Sequence, residues 1–390
     1  MTATDVRNSQ SHRGLWALDP DCTYLNHGSF GAVPYEVLAH QQLWRERMEG
    51  NPTDFFRNVL QPSLEEARLV CARFLGSDPD GVAFVQNATT GVSTVLASFP
   101  FNAGDQILTT DHIYGSVGMA VRATVARSAL DLTIAQARIP LAAGDDEILA
   151  LVLAAVTDRT RLAIIDQITS ATARRFPVER LVPALQERGV TVLVDAAHVP
   201  GCLAVDLEAL GADFWVGNFH KWAGAPRGSA GLYVAPRRRG QVESFPVSWQ
   251  VADGFPRSFN HVGTADCTTW LSAPAGLDFY EKFDWDQTRR ANAALASYGQ
   301  QVVGEAVGAA LGDQPVEPSL PMRLVPLDGV PADQVTADQL RDRLARDARI
   351  ETSINVWGGR TLLRLSAQLY NSMEDYEKLA AALPGALAAG

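Results

Sequence analysis

Cysteine is scarce in this 390-residue sequence, which has four, at positions 22, 71, 202 and 267. None of them has CxxC spacing, so the sequence predicts neither a disulfide framework nor a zinc knuckle. Reduced thiols are typical of the cytoplasm, and we expect the protein there. The polar N-terminus, MTATDVRNSQSHRG, also lacks the apolar segment of a signal peptide.

An excess of positive charge and long apolar runs are also missing. The formal net charge is -11 and the sequence pI is about 5.1, which argues against nucleic acid or an anionic membrane as partner. No window approaches the roughly 18 consecutive apolar residues of a membrane span. With 47% hydrophobic and 20% charged residues, the composition is that of a globular protein with room for two or three domains.

Two apolar runs in the middle of the chain lead into chemically useful side chains. Val190–Val194 ends in Asp195, and Phe214–Val216 is soon followed by Lys221. Such runs are typical of strands buried on both faces of a parallel sheet. Ligands of open α/β sheets bind beyond the carboxyl ends of the strands, so we expect both side chains at one edge. A lysine that forms a Schiff base and a carboxylate for the ring nitrogen are what pyridoxal 5'-phosphate (PLP) needs.

Each of these residues alone has a simpler interpretation. Asp195 is in a place to cap a following helix, and Lys221 could be a solvated surface lysine. Four histidines at positions 27, 112, 198 and 220 raise the remote alternative of a metal-dependent hydrolase. Their spacing matches no HExxH or His-x-His pattern, so we expect no metal site.

The segment Asp-Ala-Ala-His at residues 195–198, followed by His220-Lys221, resembles the class V aminotransferase family of fold type I PLP-dependent enzymes. Within it, the isopenicillin N epimerase-like branch is the most similar. The resemblance implies that Lys221 carries PLP as a Schiff base and that Asp195 pairs with the ring nitrogen. It also implies that His198 lies near the phenolic oxygen, that His220 lies near the phosphate and that Asn218 contacts the cofactor.

A turn that opens a helix is the expected phosphate site. The apolar run Val82–Val85 leads into Ala88, Thr89 and Thr90, and the free amides and dipole of a helix N-terminus attract anions. In the resembled family this turn holds the cofactor phosphate.

A third strand, at residues 106–110, leads into Asp-His-Ile-Tyr-Gly. The resemblance implies an aromatic or imidazole ring over the pyridine here, which we assign to His112 as a catalytic residue, with Tyr114 as the alternative. Ser170 stands where cysteine desulfurases carry asparagine, so its hydrogen bonding to the cofactor is expected to differ.

Substrate contacts are expected from both ends of the chain. The loop of residues 26–31, which contains Asn26 and His27, resembles a segment at the active-site mouth of the same branch. Arg364 falls at the family's carboxylate-binding arginine, where a planar guanidinium can bind both oxygens. The Gly263-Thr264 turn reaches a neighbour's phosphate in relatives, which implies a homodimer with shared active sites.

The alternation of strands and helices predicts an α/β fold with right-handed crossovers. The resemblance implies a fold type I transferase with a mainly parallel seven-stranded sheet. We expect a flexible N-terminus over residues 1–20, a large PLP-binding domain over 21–280 and a smaller α+β domain over 281–390. The first part of the large domain could pack with the small one.

These features predict a PLP-dependent enzyme that acts at the α-carbon of an amino-acid substrate, isopenicillin N epimerase-like and in specialised metabolism. A carbon-sulfur β-lyase acting on an S-substituted cysteine conjugate and an aminotransferase are the alternatives. Persulfide formation is discounted because Asn355–Arg360, where desulfurases carry their nucleophile, has no cysteine.

Overall fold

The computed structural model describes residues 12–312 and 318–388. The strands are β1 (Thr23–Tyr24), β2 (Val82–Val85), β3 (Gln106–Thr110), β4 (Thr133–Ala137), β5 (Thr160–Asp166), β6 (Thr191–Asp195), β7 (Phe214–Asn218), β8 (Ala230–Val234), β9 (Met322–Pro326), β10 (Ile350–Glu351), β11 (Ser353–Trp357) and β12 (Arg360–Ser366). The α-helices are α1 (Tyr35–Gly50), α2 (Pro52–Asp54), α3 (Leu60–Phe74), α4 (Ala88–Ser98), α5 (Gly115–Arg127), α6 (Asp145–Ala154), α7 (Val178–Gln186), α8 (Leu207–Leu210), α9 (Thr268–Leu271), α10 (Ala273–Glu281), α11 (Trp285–Val307), α12 (Gln334–Ala348) and α13 (Met373–Ala388).

Seven strands form one large sheet in the order β2-β8-β7-β6-β5-β3-β4. All neighbouring pairs are parallel except those of β8, which runs antiparallel to both β2 and β7. The strand order differs from the chain order, so residues far apart in sequence meet at the carboxyl edge. The predicted α/β fold with a mainly parallel seven-stranded sheet is confirmed.

Both faces of this sheet are buried because the side chains of a strand alternate between them. On β5 and β6, Ala163, Ile165, Val192 and Val194 pack into one apolar cluster. Their neighbours Leu162, Ile164 and Leu193 pack into a second cluster on the other face. The continuous apolar runs of the sequence therefore follow from helices covering both sides of the sheet.

A smaller C-terminal unit carries a three-stranded antiparallel sheet in the order β11-β12-β9. Its apolar cluster includes residues of α11, α12 and α13, such as Leu295, Leu344 and Leu379. The N-terminal part of the chain joins this unit, because β1 pairs in parallel with β10 and Leu25 belongs to the same cluster.

Part of the segment that we expected to be flexible is packed. Trp16 is only 2% exposed and forms edge-to-face contacts with Phe279 and Tyr370. Burying a tryptophan offsets the entropy of ordering the chain around it. The expectation of flexibility therefore does not hold from residue 12 onward, whereas residues 1–11 lie outside the described residues. Every helix described is too short or too polar to cross a membrane.

Candidate active site

A cavity of about 510 Å³ lies at the carboxyl edge of the large sheet. Asp195 ends β6, and Lys221 comes three residues after the end of β7, which is the neighbouring strand. Both residues line this cavity. The parallel strands therefore bring the predicted amine and carboxylate to one site.

Lysine is rare in this chain, which strengthens the choice of Lys221. The other two lysines are Lys282 and Lys378. Lys282 forms an exposed ion pair with Glu36, and Lys378 donates to the Thr23 hydroxyl. Lys221 is the lysine that lines the cavity, so its interpretation as a solvated surface residue fails.

The Lys221 amine is prepared to act as a neutral nucleophile and base. Burial is the main cause that lowers its pKa to about 7, and the Arg364 cation lowers it further against the opposing charges of Asp195 and Asp166. Its Nζ lies 3.1 Å from His198 Nε2. Burial also lowers the pKa of His198 well below its ordinary value, so the imidazole is neutral and accepts a hydrogen bond from the amine.

Asp195 has an oxygen ready for a ligand. Its Oδ1 accepts from the Ala197 backbone N–H at 3.0 Å, whereas its buried Oδ2 has no hydrogen-bond partner among the described residues. An unpaired buried carboxylate oxygen is costly, and a protonated ring nitrogen would satisfy it.

The predicted phosphate turn forms the N-terminus of α4. The Asn87 side chain caps this helix by accepting from the Thr90 N–H at 2.8 Å, and the Asn218 side chain accepts from the Ala88 N–H at 2.8 Å. Ala88, Thr89, Thr90, Asn218 and His220 all line the cavity. The Asn218 contact ties the end of β7 to the helix N-terminus, so the anion site is fixed relative to Lys221.

Arg364 is almost fully buried behind the cavity wall and is held in one orientation. One terminal nitrogen donates to the Ser170 carbonyl at 2.6 Å, and the other donates to the Ser29 hydroxyl at 2.6 Å. Asn26 Oδ1 lies 3.5 Å from the second nitrogen. The Nε atom makes no hydrogen bond within the described ranges, so a donor remains for a substrate carboxylate. Ser29 and Ser170 themselves line the cavity.

His112, which we assigned as the stacking ring, is not among the residues that line the cavity. Its ring nitrogens contact the Thr172 hydroxyl at 2.7 Å and the Ile139 carbonyl at 2.9 Å, and its ring packs on Trp357 with centroids 4.3 Å apart. Tyr114, the alternative, lines the cavity and is 41% exposed. Of the two rings, that of Tyr114 is the one that lines the cavity, and which of them stacks on the cofactor stays a prediction.

His27 is also absent from the cavity wall. It is fully buried, with Nδ1 at 2.9 Å from the Tyr370 hydroxyl and Nε2 at 3.1 Å from the Lys221 carbonyl oxygen. It therefore supports the backbone of Lys221 from behind, and its contact with substrate stays a prediction. Gly263 and Thr264 are exposed and do not line this cavity, so their role at a neighbour's site stays a prediction.

Several cavity residues escaped the sequence analysis, namely Ser29, Gln86, Asn87, Asp166 and Arg227. Asp166 had a clear signal, because it ends an apolar strand in the same way as Asp195. Arg227 lies in a loop and carries no comparable pattern. No group of three His, Cys, Asp or Glu residues suited to a metal occurs in the described part of the chain.

The residues fit PLP: an amine of lowered pKa, a carboxylate with an unpartnered oxygen and a helix N-terminus for phosphate surround one cavity. These features define a PLP-binding α/β enzyme. The family model of the class V aminotransferases matches residues 23–379, so the chain belongs to that family. The predicted family and cofactor are thereby confirmed.

Individual relatives and solved structures agree with this membership. A probable chloroplastic L-cysteine desulfhydrase from Arabidopsis thaliana is 32% identical, over 99% of this chain and 86% of its own length. Isopenicillin N epimerase from Streptomyces clavuligerus is 30% identical, over 97% of this chain and 98% of its own. A C-DES mutant with glycine covalently linked to the PLP cofactor matches in fold, with a TM-score of 0.82 and 21% identity over 96% of this chain and 99% of that one.

Proposed function

We propose that this PLP-dependent enzyme removes the α-proton of an amino acid with Lys221 as the base. The observation that carries the proposal is the Lys221 amine, whose pKa is lowered to about 7, in the same cavity as the unpartnered oxygen of Asp195. PLP, when bound, supplies an electron sink for the negative charge that develops at the α-carbon. A base with a pKa near the working pH is suited to proton transfer.

The chain's own residues position the substrate and the base. Arg364 presents donors to the α-carboxylate, and its Ser29 and Ser170 contacts fix the plane of the guanidinium. The neutral His198 holds the Lys221 amine through the 3.1 Å contact, and Asp195 would keep the ring nitrogen of PLP protonated. Arg364 and Lys221 would thus hold the substrate carboxylate and take the α-proton, respectively.

Elimination from an S-substituted cysteine is the outcome that a single base can complete. Lys221 takes the α-proton, the Cβ–S bond breaks with its electron pair leaving on sulfur, and the proton passes to the thiolate. Addition of water then gives pyruvate and ammonia beside the thiol. The Arabidopsis relative named as a probable L-cysteine desulfhydrase supports this assignment.

Epimerisation is the second candidate, and Tyr114 favours it. Inversion needs a second acid on the opposite side of the α-carbon from Lys221. Tyr114 follows β3 and Lys221 follows β7, with β5 and β6 between them, so the two residues reach the cavity from different strands. Both side chains are long and line the cavity, and the relative named isopenicillin N epimerase adds support.

Two measurements test these steps separately. Exchange of the α-proton in D2O, followed by NMR, reports the common step, which Lys221→Ala should abolish together with the visible absorbance of the lysine-bound coenzyme. Pyruvate and ammonia formed from S-methyl-L-cysteine indicate elimination, and inverted amino acid without pyruvate indicates epimerisation. Unchanged exchange in Lys221→Ala would overturn the proposal.

We also propose a cytoplasmic homodimer that shares active sites. The exposed Gly263-Thr264 turn and the exposed Phe30, which lines the cavity, support a partner subunit near the site. The four free cysteines fit a reducing compartment. Light scattering should give twice the mass of one 42.1 kDa chain; a monomer that retains coenzyme and activity would contradict the dimer.

A further inference from the structure

A second carboxyl group stands beside Asp195 at the edge of the sheet. Asp166 ends β5 and is the register partner of Asp195 at the end of β6. Paired residues of neighbouring parallel strands point to the same face, and the strands are about 4.8 Å apart. Both residues are 2% exposed and both line the cavity, so two acids share one buried space.

The pair has little compensation from hydrogen bonds. Oδ2 of Asp166 and Oδ2 of Asp195 are both buried without a partner in the ranges that the structure describes. The backbone N–H groups of Tyr114 and of Asp166 itself donate to the Asp166 carboxyl, and that of Ala197 donates to Asp195. Each carboxyl thus has its backbone donors and one buried oxygen free to face the cavity.

The charges around the pair favour ionisation of one member. Lys221 is the cation that acts on both acids, and its pKa of about 7 leaves it partly neutral at physiological pH. His198 is neutral and Arg364 lies behind Ser170. Arg227 also lines the cavity, but Lys221 is the cation whose charge acts on the pair. Two adjacent buried carboxyls beside one partly neutral amine share one proton.

Asp166 is the member that retains the proton, because Lys221 follows β7, which is adjacent to the strand of Asp195 and two strands away from that of Asp166. Burial raises its pKa well above the ordinary value, and the neighbouring charge of Asp195 adds to the effect. Asp195, whose pKa is raised by burial, is supported by the Ala197 N–H and Lys221. In a PLP enzyme, one negative charge suffices to hold the ring nitrogen protonated.

We propose that Asp166 is a neutral carboxylic acid of the active site that donates a hydrogen bond into the coenzyme cavity beside the ionised Asp195. The group that receives the bond depends on the proposed function, because it belongs to the coenzyme or substrate. The protonation of Asp166 does not depend on that function. The pair of acids then presents one negative charge and one hydrogen-bond donor to the cavity.

The first test uses the protein freed of coenzyme and the variant Asp166→Asn. A carboxyl with a raised folded pKa costs stability as pH increases from about 4, its unfolded value, toward the folded pKa, and asparagine escapes this loss. The unfolding temperature of Asp166→Asn minus that of wild type should therefore increase by about 1–2 °C per pH unit in that window. A difference in unfolding temperature that is equal at pH 5 and pH 8 would overturn the proposal.

Asp213→Asn provides the control, because Asp213 is equally buried but ionised. Burial alone would raise its pKa, but the Val192 N–H and the side chains of Arg238 and Gln186 outweigh that effect and lower it. Its stabilisation is fully present above the unfolded pKa and is lost only below about pH 4. Asp213→Asn should therefore be less stable than wild type by a constant amount between pH 5 and pH 8.

The second test uses the coenzyme-loaded protein. If Asp166 were ionised about 10 Å from Lys221, two strand spacings away, its neutralisation would lower the pH at which the visible band titrates by about one unit. We expect Asp166→Asn to shift the pH of this titration by much less than one unit. A shift of a full pH unit would overturn the proposal. Asp166→Leu, which removes the donor, should weaken coenzyme retention about 2- to 10-fold relative to Asp166→Asn. Equal retention in two folded variants would refute the hydrogen bond.

If wild type incubated with coenzyme shows no visible band, the proposed function is wrong and the first test remains valid. If the unfolding temperatures of coenzyme-free Asp166→Asn and wild type differ by the same amount at every pH, Asp166 is not protonated and the proposed function is unaffected.

Discussion

Replacing Arg364 with lysine should cost the enzyme its preference for substrates that carry a carboxylate. The guanidinium is 1% exposed and is fixed by Ser29 and Ser170, each at 2.6 Å, with Nε free of hydrogen bonds among the described residues. Lysine keeps the positive charge but has a single nitrogen, which cannot follow the two oxygens of a carboxylate as the planar fork does. The variant therefore removes the planar hydrogen-bonding geometry of the guanidinium and keeps the positive charge.

The expected magnitude is that of one charge-assisted hydrogen bond. Such a bond contributes about 1.5–3 kcal/mol, which corresponds to a factor of about 10 to 150 in a binding constant. The charge itself cancels in the comparison because lysine retains it. We therefore expect Arg364→Lys to reduce, by that factor, the ratio of the affinity for a substrate with a carboxylate to the affinity for one without it.

Spectral titration of the coenzyme-loaded enzyme measures this preference directly. The affinity for S-methyl-L-cysteine is divided by that for S-methylcysteamine, which lacks the carboxylate. Arg360→Lys is the matched control on the same strand, because Arg360 forms an ion pair with the exposed Asp328 at 3.2 Å and such pairs contribute about 0–1 kcal/mol. An unchanged ratio in Arg364→Lys would refute the carboxylate assignment.

Three further outcomes follow from the site. Coenzyme loading of the apoprotein should accelerate as pH increases through about 7, because burial and the Arg364 cation lower the pKa of Lys221 and only the neutral amine attacks; a stopped-flow rate that is flat from pH 5.5 to 8.5 would contradict it. Gly31→Ala should reduce bound coenzyme, since its Cβ would lie 2.6 Å from the Lys221 carbonyl oxygen, whereas Gly14→Ala, with open space, should not. Tyr114→Leu should change the visible band of the bound coenzyme, whereas His112→Asn should lower only the unfolding temperature. If absorbance and thermal scans show the reverse pattern, His112 is the stacking ring.

The sequence predicted the centre of the site because strand ends are readable from apolar runs. Lys221 and Asp195 both follow such runs, and the sheet brings their ends together. Asp166 follows the same rule, because it ends the apolar strand β5. These residues are predictable without knowing how loops fold.

Loop residues could not be predicted in this way. His112 and Tyr114 lie two positions apart after β3, and which of them faces the cavity depends on Trp357 from the C-terminal unit, which packs on the His112 ring. His27 sits next to Asn26, yet it turns away from the cavity because Tyr370 and the Lys221 carbonyl occupy its nitrogens. Such choices are made by tertiary contacts that no local pattern records.

The charge of the cavity explains why a phosphorylated coenzyme completes this site. Burial lowers the pKa of His198 well below its usual range and that of His220 to about 4, so the imidazoles contribute no charge near neutral pH. Arg227 lines the cavity and Arg364 lies behind it, and a single ionised acid, Asp195, opposes them. Unbalanced buried charge is costly, and a phosphate dianion at the N-terminus of α4 would offset it. The histidines thus serve as neutral hydrogen-bond partners, and the positive charge of the arginines favours the binding of an anion.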